Sequence, residues 1–108
     1  MAMDLPTLRK LVALDERDPL SRFALGRKLH EIGTPEALAE AAGHLRFANA
    51  HAPNHLATYH ILAQVLIGLN EKDEARRVLE EGVQRVAGIG DGMGRDLGPI
   101  MQQMLAAL

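Results

Sequence analysis

The chain has 108 residues, of which 47% are hydrophobic and only 3% aromatic, and it contains no cysteine. A chain of this length forms one small domain, whose core must be built from aliphatic side chains. The lack of cysteine excludes disulfides and thiolate chemistry. The formal net charge is −2 with both signs interspersed, so we expect neither nucleic acid nor a membrane as a partner.

The N-terminal segment carries Asp4, Arg9 and Lys10 and no long apolar run, which is unlike a secretory signal peptide. No stretch of the sequence approaches the ~20 consecutive apolar residues that are needed to cross a bilayer. These two observations favour a cytoplasmic protein.

Three helices are predicted in the first half, because a capping residue is followed each time by proline in the first helical turn. They cover 5–15, 19–32 and 35–49, after the caps Asp4, Asp18 and Thr34. Gly33 is expected to end the second helix in a left-handed conformation. The inner stripe of that helix is Leu25, Leu29 and Ile32, and Gly26 within it indicates a close crossing by another helix.

Three further helices are predicted in the second half. They cover 55–69 after the cap Asn54, 71–87 after a turn at Asn70, and 97–107, where Pro99 would fall in the first turn. The residues 88–94 contain four glycines and predict a flexible connection. In the last helix Ile100, Met101 and Met104 form an apolar stripe, which we expect to pack on the preceding helix.

Two segments share one pattern of large and small apolar residues. The first carries Leu25, Gly26, Leu29, Gly33, Ala41, Leu45, Ala48 and Pro53, and the second carries Tyr59, Leu62, Ala63, Leu66, Asn70, Ala75, Leu79 and Gly82. This pattern resembles the tetratricopeptide repeat. The matching Leu25 and Leu62 lie 37 positions apart, against a family period of about 34, which fits three extra residues within 34–39.

The resemblance implies an all-α fold, an antiparallel helical-hairpin repeat array that forms a right-handed solenoid of about six helices. The chain would be a single domain of four parts. These are an N-terminal helix at 4–16, repeat one at 19–53, repeat two at 54–87 and a C-terminal capping helix at 95–108.

The first helix of each unit lines a concave groove in this family, and the resemblance therefore implies a set of groove residues. By position these are Phe23, Arg27, His30 and Glu31 from unit one, with His60, Gln64 and Ile67 from unit two. The implied function is a non-catalytic scaffold that binds a short peptide or one helix of an unidentified protein. The guanidinium of Arg27 could donate two hydrogen bonds to a ligand carboxylate. The alternative is that these residues form an ordinary solvated surface without a ligand.

A subgroup of the family clamps chaperone C-termini with lysine and asparagine at fixed groove positions. This chain departs from that set, since Phe23 stands at the lysine position and Arg27 replaces an asparagine. The resemblance therefore does not extend to chaperone-tail binding.

Other functional classes have little support in the sequence. His51, His55 and His60 are close along the chain, but Pro53 and the five-residue spacing of the last two place them apart, so we expect no metal and no cofactor. Ser21 is the only serine and begins a helix, and we expect no catalytic residues and no enzyme. The main alternative is a self-associating assembly module, a weak homodimer that uses the terminal helices.

Overall fold

The computed structural model describes residues 3–89 and 92–108. These residues form six helices and no strand, which confirms the all-α class. The helices are α1 (Leu5–Leu14), α2 (Pro19–Ile32), α3 (Pro35–His51), α4 (Leu56–Gly68), α5 (Lys72–Ile89) and α6 (Gly92–Ala107).

Side-chain caps fix the starts of the first three helices as predicted. Asp4 Oδ1 accepts a hydrogen bond from the backbone N–H of Thr7 at 3.0 Å, and Asp18 Oδ1 accepts one from Leu20 at 3.1 Å. Thr34 Oγ1 accepts from the N–H of Ala37 at 3.2 Å. Each bond satisfies a backbone donor that the helix itself leaves free.

The predicted turns after α2 and α4 are also confirmed. Gly33 has φ of 76° and Asn70 has φ of 61°, both in the left-handed region that these two residue types tolerate best. Each turn reverses the chain, so α2 with α3 and α4 with α5 form antiparallel hairpins.

The predicted cap of α4 is wrong. The N-cap residue is His55, whose side chain makes no capping hydrogen bond. Asn54 Oδ1 instead accepts a hydrogen bond from Arg85 Nη1 at 3.1 Å, which ties this turn to α5. A contact between distant parts of the chain has therefore replaced the local cap that residue type alone suggests.

The hairpins stack in two layers. The helices α2, α4 and α6 lie side by side in one layer, since α4 packs against both of the others. In the other layer Arg9 of α1 forms a two-pronged ion pair with Glu40 of α3, and Arg46 of α3 forms another with Glu74 of α5. Of the other described helices, only α2 has its backbone close to that of α1, so α1 reaches α3 through side chains.

Small side chains allow the helices to approach closely. Gly26, Ala41, Ala63 and Ala75 are all buried, as the repeat pattern predicts. A Cβ at Gly26 would lie only 2.6 Å from Cγ of Leu45 on α3, so the two helices nest at the point where the side chain is missing.

The predicted flexible connection at 88–94 is wrong for the residues that the structure describes. The helix α5 continues to Ile89 and α6 begins at Gly92, while residues 90 and 91 lie outside the described part. Packing of α6 against α5 favours the helical form, and at Gly98 a Cβ would lie only 3.2 Å from Cγ1 of Val86. This close approach of α6 to α5 outweighs the weak helix propensity of glycine.

The last helix therefore starts five residues earlier than predicted, and Pro99 lies inside it rather than in its first turn. Met101 is fully buried next to Gly82, which confirms its core position, and Met104 is half-buried against the core.

Two residues of the predicted apolar stripes are not buried. Ile32 is 45% exposed because it is the last residue of α2, where the chain turns away at Gly33. Ile100 is 41% exposed because its neighbour Met101 takes the position that faces α4 and α5.

Candidate functional site

Three of the predicted groove residues meet at one cavity. Phe23, Arg27 and Glu31 occupy successive turns of α2, and a spacing of four residues keeps them on one face of the helix. They line a cavity of about 240 Å³ between α1 and α2. Its remaining lining comes from Met3, Leu8, Ala24 and Lys28.

Phe23 connects this cavity to the second hairpin. Its ring is half-buried and meets the ring of His55 edge to face, with centroids 4.7 Å apart and planes at 73°. Because His55 begins α4, the contact brings the exposed face of α2 beside the first turn of α4.

The charged residues around the cavity differ in how they are paired. Lys28 Nζ lies 3.6 Å from Oε2 of Glu31. The pKa of Asp4 is lowered chiefly by its hydrogen bonds with Thr7 and to a smaller extent by the charge of Lys28. Arg27 is exposed, and no ion pair recorded within residues 3–89 and 92–108 includes it.

His30 on α2 and His60 on α4 are near enough for the charge of one ring to affect the other. Both rings are half-buried. Burial lowers the pKa of His60, and a protonated His30 would lower it further by repulsion. Burial alone lowers the pKa of His55, whose Nδ1 lies 2.8 Å from Oγ1 of Thr58. The site therefore favours neutral imidazole rings, which can both donate and accept hydrogen bonds.

Gln64 and Ile67 lie further along α4 and do not line the cavity. Gln64 is half-buried, and Ile67 is 37% exposed. The predicted groove residues therefore fall into two groups. Phe23, Arg27 and Glu31 line the cavity beside α1, whereas His60, Gln64 and Ile67 lie along α4. His30 is on α2 and does not line the cavity.

Sequence reasoning missed four residues of the cavity. Ala24 and Lys28 lie next to Phe23 and Arg27 on the same side of α2, so helical periodicity is the signal that would have included them. Met3 and Leu8 belong to the cavity only because α1 packs on α2, and no local pattern in the sequence reports that contact.

In the described residues, no group of three or more histidine, cysteine, aspartate or glutamate side chains is placed to hold a metal ion. His55 contacts Phe23 and Thr58 instead. Of the six helices, none is long and apolar enough to cross a membrane.

Stacked antiparallel helical hairpins define a helical-repeat protein. A family model for the tetratricopeptide repeat matches residues 35–88, which is 54 of the 108 residues, and the chain therefore belongs to the tetratricopeptide repeat family. No curated protein and no solved structure matches the chain. Repeats of this family generally mediate protein–protein interactions and are typically non-catalytic.

The family match includes α3, α4 and most of α5, and the cavity residues from Met3 to Glu31 lie before it. The division into repeats at 19–53 and 54–87 stays a prediction.

Proposed function

We propose that this protein is a non-catalytic scaffold that binds a short peptide segment of another protein on the concave face formed by α2 and α4. The observation that supports it most is the meeting of Phe23, Arg27 and Glu31 of α2 at one cavity, where Phe23 also contacts His55 at the start of α4. His60, Gln64 and Ile67 extend this face along α4. Such a surface combines apolar contact area with a few directed polar groups, which is the composition that peptide sites use.

The expected affinity is modest. Two neighbouring helices cover only a few residues of an extended peptide, or about one turn or two of a helix, and small interfaces give weak or transient complexes. A dissociation constant of about a micromolar or weaker is therefore expected. Arg27 should favour peptides that carry a carboxylate, because its guanidinium can donate two parallel hydrogen bonds to one acceptor.

A displayed library of short random peptides, selected on the whole protein, tests the proposal. The recovered peptides should be enriched in acidic residues, and their affinities are then measured by fluorescence polarisation. Arg27→Glu and His60→Glu should each weaken binding about tenfold or more, since each places a negative charge on the proposed peptide path.

Lys10→Glu is the matched control for these variants. It reverses a charge at an exposed position of α1 that does not line the cavity. Peptides that respond equally to all three substitutions bind through net charge alone. Peptides that ignore both Arg27→Glu and His60→Glu would reject the concave face as the binding surface.

A second candidate is self-association through the terminal helices, which the exposure of Leu14 on α1 and of the neighbouring Leu20 on α2 favours. Leu14 at the end of α1 is 83% exposed, and Leu20 in the first turn of α2 is 55% exposed. If a second copy covers them, sedimentation velocity should show a mass that rises with concentration, and Leu14→Glu should restore the monomer. A monomeric mass at every concentration would remove this candidate.

A further inference from the structure

The cavity between α1 and α2 has an apolar interior. Leu8 is only 4% exposed and forms part of its inner wall, beside the half-buried ring of Phe23. Ala24 has the shortest side chain in the lining and so leaves space on α2. Met3, which is 48% exposed, lies at the rim, where its flexible thioether can adapt to an occupant.

The size of the cavity limits what it can hold. Sites for whole small molecules and cofactors start at about 300 Å³, whereas this cavity measures about 240 Å³. It therefore suits a single large side chain better than a complete cofactor or substrate. An apolar side chain is favoured, because most of the lining is apolar and includes Leu8, Phe23 and Ala24, while the polar groups of the lining belong to charged residues.

The charged residues at the rim of the cavity determine which charge the ligand should carry beside that apolar side chain. Lys28 is already paired with Glu31, at 3.6 Å. Arg27 lines the same cavity, is exposed, and takes part in no ion pair recorded in the described ranges. A ligand carboxylate beside the cavity would meet Arg27, whereas a ligand cation would compete with Lys28 for Glu31.

We propose that this cavity is an anchor site for one large apolar side chain of a partner peptide that carries an aspartate or glutamate next to that side chain. The proposal rests on the proposed peptide-binding function and specifies the chemistry of the partner. Because Phe23 touches both the cavity and His55, a peptide anchored here continues directly onto α4. The helix α1 thereby contributes to recognition through Leu8.

The direct test is a titration of the isotope-labelled full chain with the capped dipeptide acetyl-Leu-Glu-amide, followed by nuclear magnetic resonance. Saturable shifts of backbone amides are expected around Leu8, Ala24 and Arg27. Acetyl-Ala-Glu-amide should bind about tenfold more weakly or worse, because it leaves the apolar interior unfilled. Acetyl-Leu-Lys-amide should bind about threefold more weakly or worse, because its charge repels Arg27.

Ala24→Leu fills the cavity from within, and Ala50→Leu is its matched control at an exposed position of α3. Thermal melting first establishes that both variants are folded. Ala24→Leu should abolish the saturable shifts, whereas Ala50→Leu should leave them unchanged. Because the alanine dipeptide tests the same point without any protein variant, a poorly folded Ala24→Leu would not remove the test.

Three results would each overturn the anchor site: no saturable binding of acetyl-Leu-Glu-amide, equal binding of acetyl-Ala-Glu-amide, or shifts located away from α1 and α2. Library peptides that require Arg27 and His60 but bind Ala24→Leu normally would leave the concave face standing and reject the anchor. Dipeptide binding in the cavity, without any peptide recovered from the library, would reject the proposed function and keep the cavity as a site for apolar carboxylates.

Discussion

Adding one methyl group at Gly26 tests whether the hairpins nest as the structure has them. The new Cβ would lie 2.6 Å from Cγ and 2.8 Å from Cδ2 of Leu45, whereas ordinary contacts of this kind are 3.4–4 Å. Leu45 is fully buried and cannot turn towards solvent. The crossing of α2 and α3 must therefore widen by about 1 Å, or Leu45 must leave its rotamer.

The magnitude follows from two opposing effects. Alanine is favoured over glycine inside a helix by about 1 kcal/mol. Overpacking of a filled core costs about 1–3 kcal/mol. Gly26→Ala should therefore lower the free energy of unfolding by about 0–2 kcal/mol.

Gly43→Ala is the matched control on the partner helix α3. No heavy atom lies within 4 Å of a Cβ at this position, so only the gain in helix propensity applies. Gly43→Ala should raise the free energy of unfolding by about 0.5–1 kcal/mol. The difference between the two variants isolates the packing cost and should be about 1–3 kcal/mol.

Urea denaturation followed by far-ultraviolet circular dichroism measures both free energies. For a domain of about 100 residues, each kcal/mol also moves the melting temperature by about 4–8 °C. If Gly26→Ala proves as stable as Gly43→Ala, Leu45 does not fill the space at Gly26 and the nested crossing is refuted.

Three further predictions concern stability. Ala63→Leu should cost about 1–3 kcal/mol, because Ala63 is fully buried; an unchanged melting temperature would mean that this position is not in the core. A double-mutant cycle on Arg46 and Glu74, both partly exposed, should give a coupling free energy of about 0.5–1 kcal/mol that decreases in high salt. A coupling free energy of zero in low salt would show that this ion pair does not stabilise the protein. The pKa values of His55 and His60 are lowered in the folded protein, so below about pH 6.5 the unfolded chain binds more protons than the folded chain. The contribution of these two residues to stability should therefore be complete above that pH and be lost as the pH falls. His60→Gln should remove part of this loss, and equal melting temperatures at about pH 7.5 and 5.5 would contradict the predicted pH dependence.

Features that depend on neighbouring residues could be read from the sequence. The caps Asp4, Asp18 and Thr34 bond to backbone groups two or three residues away, so their chemistry is complete within one helical turn. The left-handed turns at Gly33 and Asn70 follow from residue type for the same reason. The buried small residues could be predicted because a repeat reuses one helix crossing along the chain.

The errors occurred where a contact from elsewhere overrides a local preference. Asn54 would cap α4 by its own chemistry, yet Arg85 of α5 takes its side chain. The glycines at 88–94 favour a flexible connection, yet α6 packs against α5, closely so where Gly98 meets Val86, and begins at Gly92. Neither partner is a near neighbour in sequence, so the outcome depends on how the hairpins stack.

The sequence by itself determined the helical class, the hairpin turns and the face of α2 that carries Phe23, Arg27 and Glu31, because helical periodicity and turn chemistry act over a few residues. Only the tertiary structure decided that these side chains open onto a cavity. That cavity exists because α1 lies against α2 and brings Leu8 and Met3 beside them. Its volume is set by the distance between two packed helices, and residue types alone do not specify that distance.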